Sequence, residues 1–345
     1  MSDVSFQGLL FIGDPHLASR IPGFRLDDFP RVALGKLRWC LEYAAEHSLL
    51  PVLLGDLFHW PRDNANWLLA ELMVTLPPQT LTVMGNHDCR EDVLGEDDSL
   101  TILVRAGRLR LLDGEGAWRG MINGVPVAIG GTSWGQPLPK GVPWEGDDAP
   151  RWTFWVTHHD LGFPGYVAAD PSLKLHEIPG IDVVVNGHIH ERLTSVTCGQ
   201  TAWLNPGNIT RLTRDKTDLR RRPAAMAVYV QGDEWRHEPV VVPHGHARDV
   251  FAPIEAQPQA ELWTSHSSDF VQGLRELLAR RTQSGAGLKH FLEQNLIDLN
   301  VDDRVATEIR ELAKEVLPDD DTALTTGHGD AAQTLREAQP PENQG

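Results

Sequence analysis

The sequence predicts an α/β protein built on two packed sheets, and three observations carry that prediction. Apolar runs in the first half each end in a glycine followed by a polar residue. Amphipathic segments of helical spacing separate them, which implies parallel strand pairing. Later apolar runs lie closer together with fewer helical segments between, which calls for a second sheet against the first.

The elements follow in order. GLLFIGD at 8–14, LPVLLGD at 50–56 and LTVMGNHD at 81–88 read as buried strands feeding loops. Between them, RVALGKLRWCLEYAAEH at 31–47 and NWLLAELMVTL at 66–76 have helical spacing, with Asp27, Asp28 or Asp63 available as caps. VPVAIGG, WTFWVTHHD, DVVVNGHIH, TAWLNPGN, AAMAVYV and EPVVVP, between 125 and 243, supply the strands of the second group. Residues 1–242 are therefore expected to form one α/β domain, and 243–268 reads as a turn-rich linker or arm. A small, mostly helical C-terminal region is expected over 269–317. Its apolar stripes are Phe270, Leu274, Leu277 and Leu278, then Val301, Val305, Ile309, Leu312 and Val316. The acidic tail 318–345 has almost no apolar residues and is expected to be disordered.

Composition excludes several classes. No apolar run approaches the roughly 20 residues of a membrane span, and the first residues lack a basic, cleavable leader. Three cysteines without CxxC spacing fit a reducing compartment, so a cytoplasmic location is expected and a zinc ribbon is not. The net charge of −17 argues against broad, nonspecific nucleic-acid binding. One basic segment stands apart: RLTRDKTDLRRR, residues 211 to 222, with six basic residues against two aspartates.

The chemistry sits at the strand ends. Apolar runs terminate in Asp14 and His16, in Asp56, in Asn86 and His87, in His158 and His159, and in His188 and His190. In an α/β sheet the carboxyl ends of parallel strands converge on one rim, so these five segments can deliver their side chains to one place. Carboxylate, amide oxygen and imidazole without thiolate suit Mn²⁺, Fe²⁺ or Zn²⁺. An isolated aspartate such as Asp56 has two oxygens and can bridge two ions. Two divalent ions with only Asp14 and Asp56 opposing them leave a cationic site. That site would draw in a phosphate ester for attack by a hydroxide generated on the ions. His87, not needed as a ligand, is free to act as general acid, with Asp88 as its orienting partner.

In order, GDPH, GD, GNHD, THH and GHIH resemble the signature of the calcineurin-like metallophosphoesterases, over residues 8 to about 242. The resemblance implies a four-layer α/β/β/α sandwich with a dinuclear centre, Mn²⁺ being the expected metal. It assigns Asp14, His16, Asp56 and His190 to one ion, and Asp56, Asn86, His158 and His188 to the other. His159 is expected to line the site rather than ligate. Within the superfamily, GDLFH followed by GNHD is most similar to the SbcD-type DNA exonuclease subunits, in which the histidine after GDLF lies near the scissile phosphate. That makes His59 a site candidate. LNPGNITR at 204–211 is similar to the PGS-x-x-R stretch of those proteins, with Asn208 in place of the usual serine. Asn208, Arg211, Arg214, Arg220, Arg221 and Arg222 are accordingly expected to contact substrate.

The expected partners are DNA, an SbcC-type ATPase docked on the C-terminal helices, and a second copy of the chain in a homodimer; no membrane is expected. Two alternatives stand beside the nuclease. One is a phosphatase or phosphodiesterase for nucleotides or other small phosphoesters, favoured by the negative charge. The other is a non-catalytic scaffold, opposed by the complete set of ligand residues and His87.

Overall fold

The computed structural model describes residues 5–252 except 23–24, 114–117, 145–148, 167–172 and 214–215, together with 307 and 309–310. The chain divides into two compact units, Met1–Thr264 and Ser265–Gly345, and the fold below is that of the first. The arm beyond 252, the expected helical region with its apolar stripes and the acidic tail lie outside the described residues, apart from 307, 309 and 310.

Strand β1 (Gly8–Ile12) leads to α1 (Phe29–Glu46), β2 (Leu49–Leu53), α2 (Asn66–Thr75), β3 (Thr80–Thr82), α3 (Ser99–Arg105) and β4 (Leu109–Leu111). These four strands are parallel neighbours in that order. Next come β5 (Trp118–Ile122), β6 (Val125–Thr132), β7 (Trp152–Thr157), β8 (Val183–Asn186), β9 (Val196–Cys198) and β10 (Thr201–Leu204). They form a second sheet of order β5-β6-β7-β8-β10-β9, parallel through its centre and antiparallel at both edges. After the short α4 (Lys216–Arg220), β11 (Ala224–Gln231) and β12 (Glu234–Val241) return to the first sheet and pair antiparallel beside β1. The result is the expected α/β architecture of two mixed sheets with flanking helices.

Side-chain alternation assembles the layers. Leu9 and Phe11 of β1 and Val52 of β2 pack with Phe154, Val156, Val183, Val185 and Leu204 between the sheets. Their neighbours Leu10, Ile12 and Leu53 point the other way, onto Ala33, Leu34, Leu37 and Leu41 of α1 and Leu68 and Leu72 of α2. A strand buried on both faces must be apolar throughout, which is why these runs do not alternate. Each fully buried Leu, Val or Phe contributes roughly 1.5–3 kcal/mol. The outer face of the second sheet carries Trp203, Val184 and Trp155, which pack on Leu161, Phe163, Ile178 and Ile181. Among the described residues, this outermost layer is irregular chain rather than helix.

Asp28 caps α1 by accepting from the Arg31 N–H at 3.5 Å, with proline in the first turn. Asp63 does not cap α2, whose N-cap is Ala65 without a side-chain hydrogen bond. No described helix is long and apolar enough to cross a membrane.

Candidate metal centre

The parallel strands of both sheets end on one rim, and the loops leaving β1 and β2 run on side by side beyond it. The His16 N–H donates to Asp56 O at 2.9 Å, Leu17 N–H to Leu57 O at 2.8 Å, and His59 N–H to Leu17 O at 2.8 Å. This stitching turns Asp14, His16, Asp56 and His59 toward a common centre. The turns are sharp: Asp14, His16, Asp56 and His188 have φ of 39°, 46°, 47° and 67°. Left-handed backbone at a residue with a Cβ costs roughly 1–2 kcal/mol, and such strain gathers where function demands it. The glycine of GNHD admits the close approach of a second loop. A Cβ on Gly85 would lie 2.1 Å from Asp56 Oδ1.

Two groups of mixed carboxylate and imidazole ligand atoms result, Asp14–His16–His190 and Asp56–His158–His188, each with its atoms mutually within 4.8 Å, and a third, His16–His59–His87, is imidazole alone. In the first, His16 Nε2 and His190 Nε2 stand 2.9 Å apart, and His190 Nε2 is 3.7 Å from Asp14 Oδ2. In the second, His158 Nε2 is 3.3 Å from Asp56 Oδ2, and Asn86 Oδ1 lies 2.9 Å from His188 Nδ1 and 3.3 Å from His158 Nε2. The groups meet at Asp56, whose Oδ2 is also 3.6 Å from His16 Nε2. His158 Nδ1 donates to Leu54 O at 2.7 Å, which fixes its tautomer and leaves Nε2 bare toward the centre.

Buried polar atoms here lack hydrogen-bond partners: both Asp14 oxygens, Asp56 Oδ2 and His16 Nδ1. Native interiors rarely tolerate such groups. Burial drives the Asp14 carboxyl up to about 8 and pulls His190 down to about 4, with His16 and His188 also well below the usual imidazole range. Burial opposes charge on His158 too, but Asp56 and Asp14 outweigh it and raise that imidazole to about 9. Unpartnered carboxylate oxygens of Asp14 and Asp56, buried among imidazole nitrogens and the Asn86 amide oxygen, are a donor set for cations, so the residues present fit two divalent ions.

His87 stands at the His16 end, its ring edge-on to His16 with centroids 4.8 Å apart. Its N–H donates to Asp56 Oδ1 at 2.8 Å, and its Nδ1 lies 2.9 Å from His59 O. Donation from Nδ1 to that carbonyl leaves Nε2 available. Asp88, expected to orient His87, does something else. It is buried and accepts from Phe58 N–H and Gly85 N–H, each at 3.0 Å, so it ties the GDLF and GNHD loops together. The orienting group of His87 is the His59 carbonyl. The His59 ring stacks on His87 with centroids 5.3 Å apart, packs edge-on to Trp60, and is buried with both nitrogens unpartnered.

His159 is engaged elsewhere. Its Nε2 lies 2.7 Å from Gln136 O and its Nδ1 meets the Thr157 hydroxyl. Asn186 holds the His158–His159 turn, accepting from His159 N–H and donating to His159 O, both at 3.0 Å. Sequence reasoning missed Asn186, although an amide closing the apolar run VVVN was a readable signal.

The basic segment divides sharply. Arg211 is buried and donates to the Arg221 and Gly245 carbonyls, and Arg221 pairs with Asp218 while donating to Asn208 O and Thr210 O. These two guanidinium groups brace the loop after β10 and are not displayed to a substrate. Arg220 and Arg222 are exposed, and Arg214 lies outside the described residues. The Asn208 side chain is buried with both polar atoms unpartnered, while its N–H donates to His190 O at 3.1 Å. The same brace includes Lys36, whose Nζ donates to Ile209 O at 3.1 Å. Burial, reinforced by Arg25, Arg211 and Arg221, pulls its ammonium down to about 7. Below that pH the folded state bears the full penalty of a buried charge. Between there and the unfolded value of about 10.4 the unfolded chain binds more protons, so the penalty fades as pH rises. Lys36→Met is therefore expected to raise Tm by several degrees at pH 6, at roughly 2–4 °C per kcal/mol. The gain should shrink steadily from pH 7 to pH 10 in thermal melts; a gain independent of pH would reject the buried ammonium.

The described cysteines are free. Burial pushes Cys40 and Cys89 up to about 12, so neither supplies a thiolate to the centre.

The family of calcineurin-like phosphoesterases matches residues 9–192. No curated protein matches the chain. Among solved structures, a hypothetical protein from Thermus thermophilus is similar at 13% identity and a TM-score of 0.41, over 68% of this chain and 99% of that one. A conserved uncharacterized protein from Streptococcus pneumoniae, described as a predicted phosphoesterase, is similar at 10% identity and a TM-score of 0.30, over 70% and 94%. Vacuolar Protein Sorting 29 from Cryptosporidium parvum shows 13% identity and a TM-score of 0.29, over 67% and 95%.

Proposed function

This chain belongs to the calcineurin-like phosphoesterase family, and from that membership we propose a two-metal-dependent phosphodiesterase, specifically a DNA nuclease similar to the SbcD type. The observation that carries the hydrolase reading is the pair of ligand groups meeting at Asp56, with the His87 backbone N–H donating to that same carboxylate. Asp14, His16, Asp56 and His190 would hold one ion and Asp56, Asn86, His158 and His188 the other, with Mn²⁺ the metal of choice over Fe²⁺ or Zn²⁺. When bound, such ions supply Lewis-acid charge for the phosphoryl oxygens and lower the pKa of water.

The chain's own residues then divide the work. Asp56 and Asn86 fix the spacing of the two groups, and the Leu54 carbonyl holds His158 in its ligating tautomer. His87, tethered through Nδ1, presents Nε2 to the leaving oxygen and protonates it. His59, buried behind His87, keeps that ring in place by stacking and through its carbonyl. DNA as substrate is supported by GDLFH and by the exposed Arg220 and Arg222, which would contact backbone phosphates without reading sequence.

A phosphodiesterase or phosphatase for small phosphoesters is the second reading. It is favoured by the net charge of −17 and by the internal use of Arg211 and Arg221. Purified protein with Mn²⁺ should cleave end-labelled DNA and bis-(p-nitrophenyl) phosphate. Cleavage of the small diester alone would favour the second reading. Neutralising Arg220 and Arg222 together is expected to slow DNA cleavage several-fold and flatten its salt dependence. The rate on the small diester should hold, and equal loss on both substrates would remove the basic segment from the nuclease reading. Docking of an SbcC-type ATPase and a homodimer belong to the same proposal.

A further inference from the structure

Trp134 sits where the group attached to a bound phosphate would lie. It follows β6 and reaches the centre at the end opposite His87. Its ring lies against His188, with centroids 4.9 Å apart and planes tilted by 33°, and within 6.4 Å of His158. His87 by contrast packs on His16, of the other ligand group. The indole is half-buried and leans on the core of the first sheet.

It is also held rigidly. Its Nε1–H donates to Asp92 Oδ1 at 3.1 Å and its backbone N–H to Met84 O at 2.9 Å. The preceding Ser133 hydroxyl accepts from Met84 N–H at 3.0 Å and donates to Asp113 at 2.9 Å. The turn that follows needs Gly135 at φ +77°, where a Cβ would come within 3.0 Å of Asp92. Three loops thus fix one indole beside a ligand histidine while part of it stays open to solvent. A large aromatic surface, ordered beforehand and only partly covered, is what a flat ligand group binds with little entropic cost.

We propose that Trp134 is a stacking platform for the base of a nucleoside phosphoester, seated on the side of the phosphate away from the leaving group. The proposal rests on the phosphoesterase reading and adds to it a residue that recognises the nucleoside. The phosphate is held at the centre, His87 faces the departing oxygen, and the retained nucleoside extends past His188 onto the indole. Trp134 acts on specificity and touches no reacting atom.

The test measures binding of thymidine 5′-monophosphate and of methyl phosphate to the Mn²⁺-loaded full chain by calorimetry, with hydrolysis of bis-(p-nitrophenyl) phosphate followed alongside. Base–aromatic stacking predicts that the affinity ratio, nucleotide over methyl phosphate, falls about 5- to 150-fold in Trp134→Leu. Trp134→Phe should keep most of the ratio. A ratio unmoved in Trp134→Leu, whether both affinities fall together or neither changes, would overturn the platform. The two readings separate cleanly. Hydrolysis with an unmoved ratio rejects the platform alone, whereas a collapsed ratio without hydrolysis keeps the platform and rejects the enzyme.

Discussion

Replacing His87 by alanine is expected to lower kcat by about 10²–10⁴-fold, the usual worth of a positioned general acid. The structure sets the form of the effect as well as its size. His87 belongs to neither of the two groups that meet at Asp56, although it gathers with His16 and His59 in a third, so the variant is expected to keep the ions those two groups would hold. Its Nδ1 is tethered to His59 O, so only Nε2 can reach the leaving oxygen. The deficit must therefore depend on how badly that oxygen needs a proton. It should be largest for a deoxyribose hydroxyl and much smaller for p-nitrophenolate, which departs unaided. Equal deficits for both leaving groups would show that His87 serves binding or folding instead.

Removing divalent ions is expected to abolish hydrolysis and to lower Tm by several degrees. A ligand at one hundred times its dissociation constant stabilises by about 2.7 kcal/mol, which corresponds to roughly 5–10 °C in a unit of this size. The chelated protein should also respond to pH in a defined direction. Burial raises Asp14 to about 8, and Asp56 with Asp14 raises His158 to about 9 despite burial. Both groups hold protons in the folded state that the unfolded chain has released, so stability is lost as pH rises from 3.8 to about 8 for Asp14 and from 6.5 to about 9 for His158. The Tm difference between Mn²⁺-loaded and chelated protein should widen across that window. A constant difference would mean that Asp14 and His158 do not face the ions. Asp56→Asn should mimic chelation, since the one side chain shared by both groups loses its charge.

Much of this was legible in the chain because polar residues at strand ends interrupt apolar runs. Asp14, Asp56, Asn86, His158, His188 and His190 announce themselves by following four or five residues that can only be core. The short elements were not legible. Strand β4 spans three residues and α3 seven, too few for a period to emerge from LTILVRAGRLRLL. Charge misled in the basic segment, because an arginine reads as surface by default. Arg211 and Arg221 instead spend their donors on carbonyls of an irregular loop, an arrangement with no local sequence pattern. Asp88 misled for a related reason. Its neighbour in sequence is His87, but its oxygens point to backbone N–H groups of two separate loops.

The Asp56 carboxylate links two things that enzymes of this kind could keep apart. One oxygen receives the N–H of His87, while the other faces His16 and His158 across the two ligand groups. Because that hydrogen bond comes from the His87 backbone N–H, a change in the Asp56 carboxylate's position on binding an ion would be passed to the His87 main chain. Metals that bind with similar affinity should therefore give unequal turnover, with the disparity greatest for the leaving groups that depend most on His87. On the roles proposed for Asp56 and His87, the choice of ion would also set the aim of the acid.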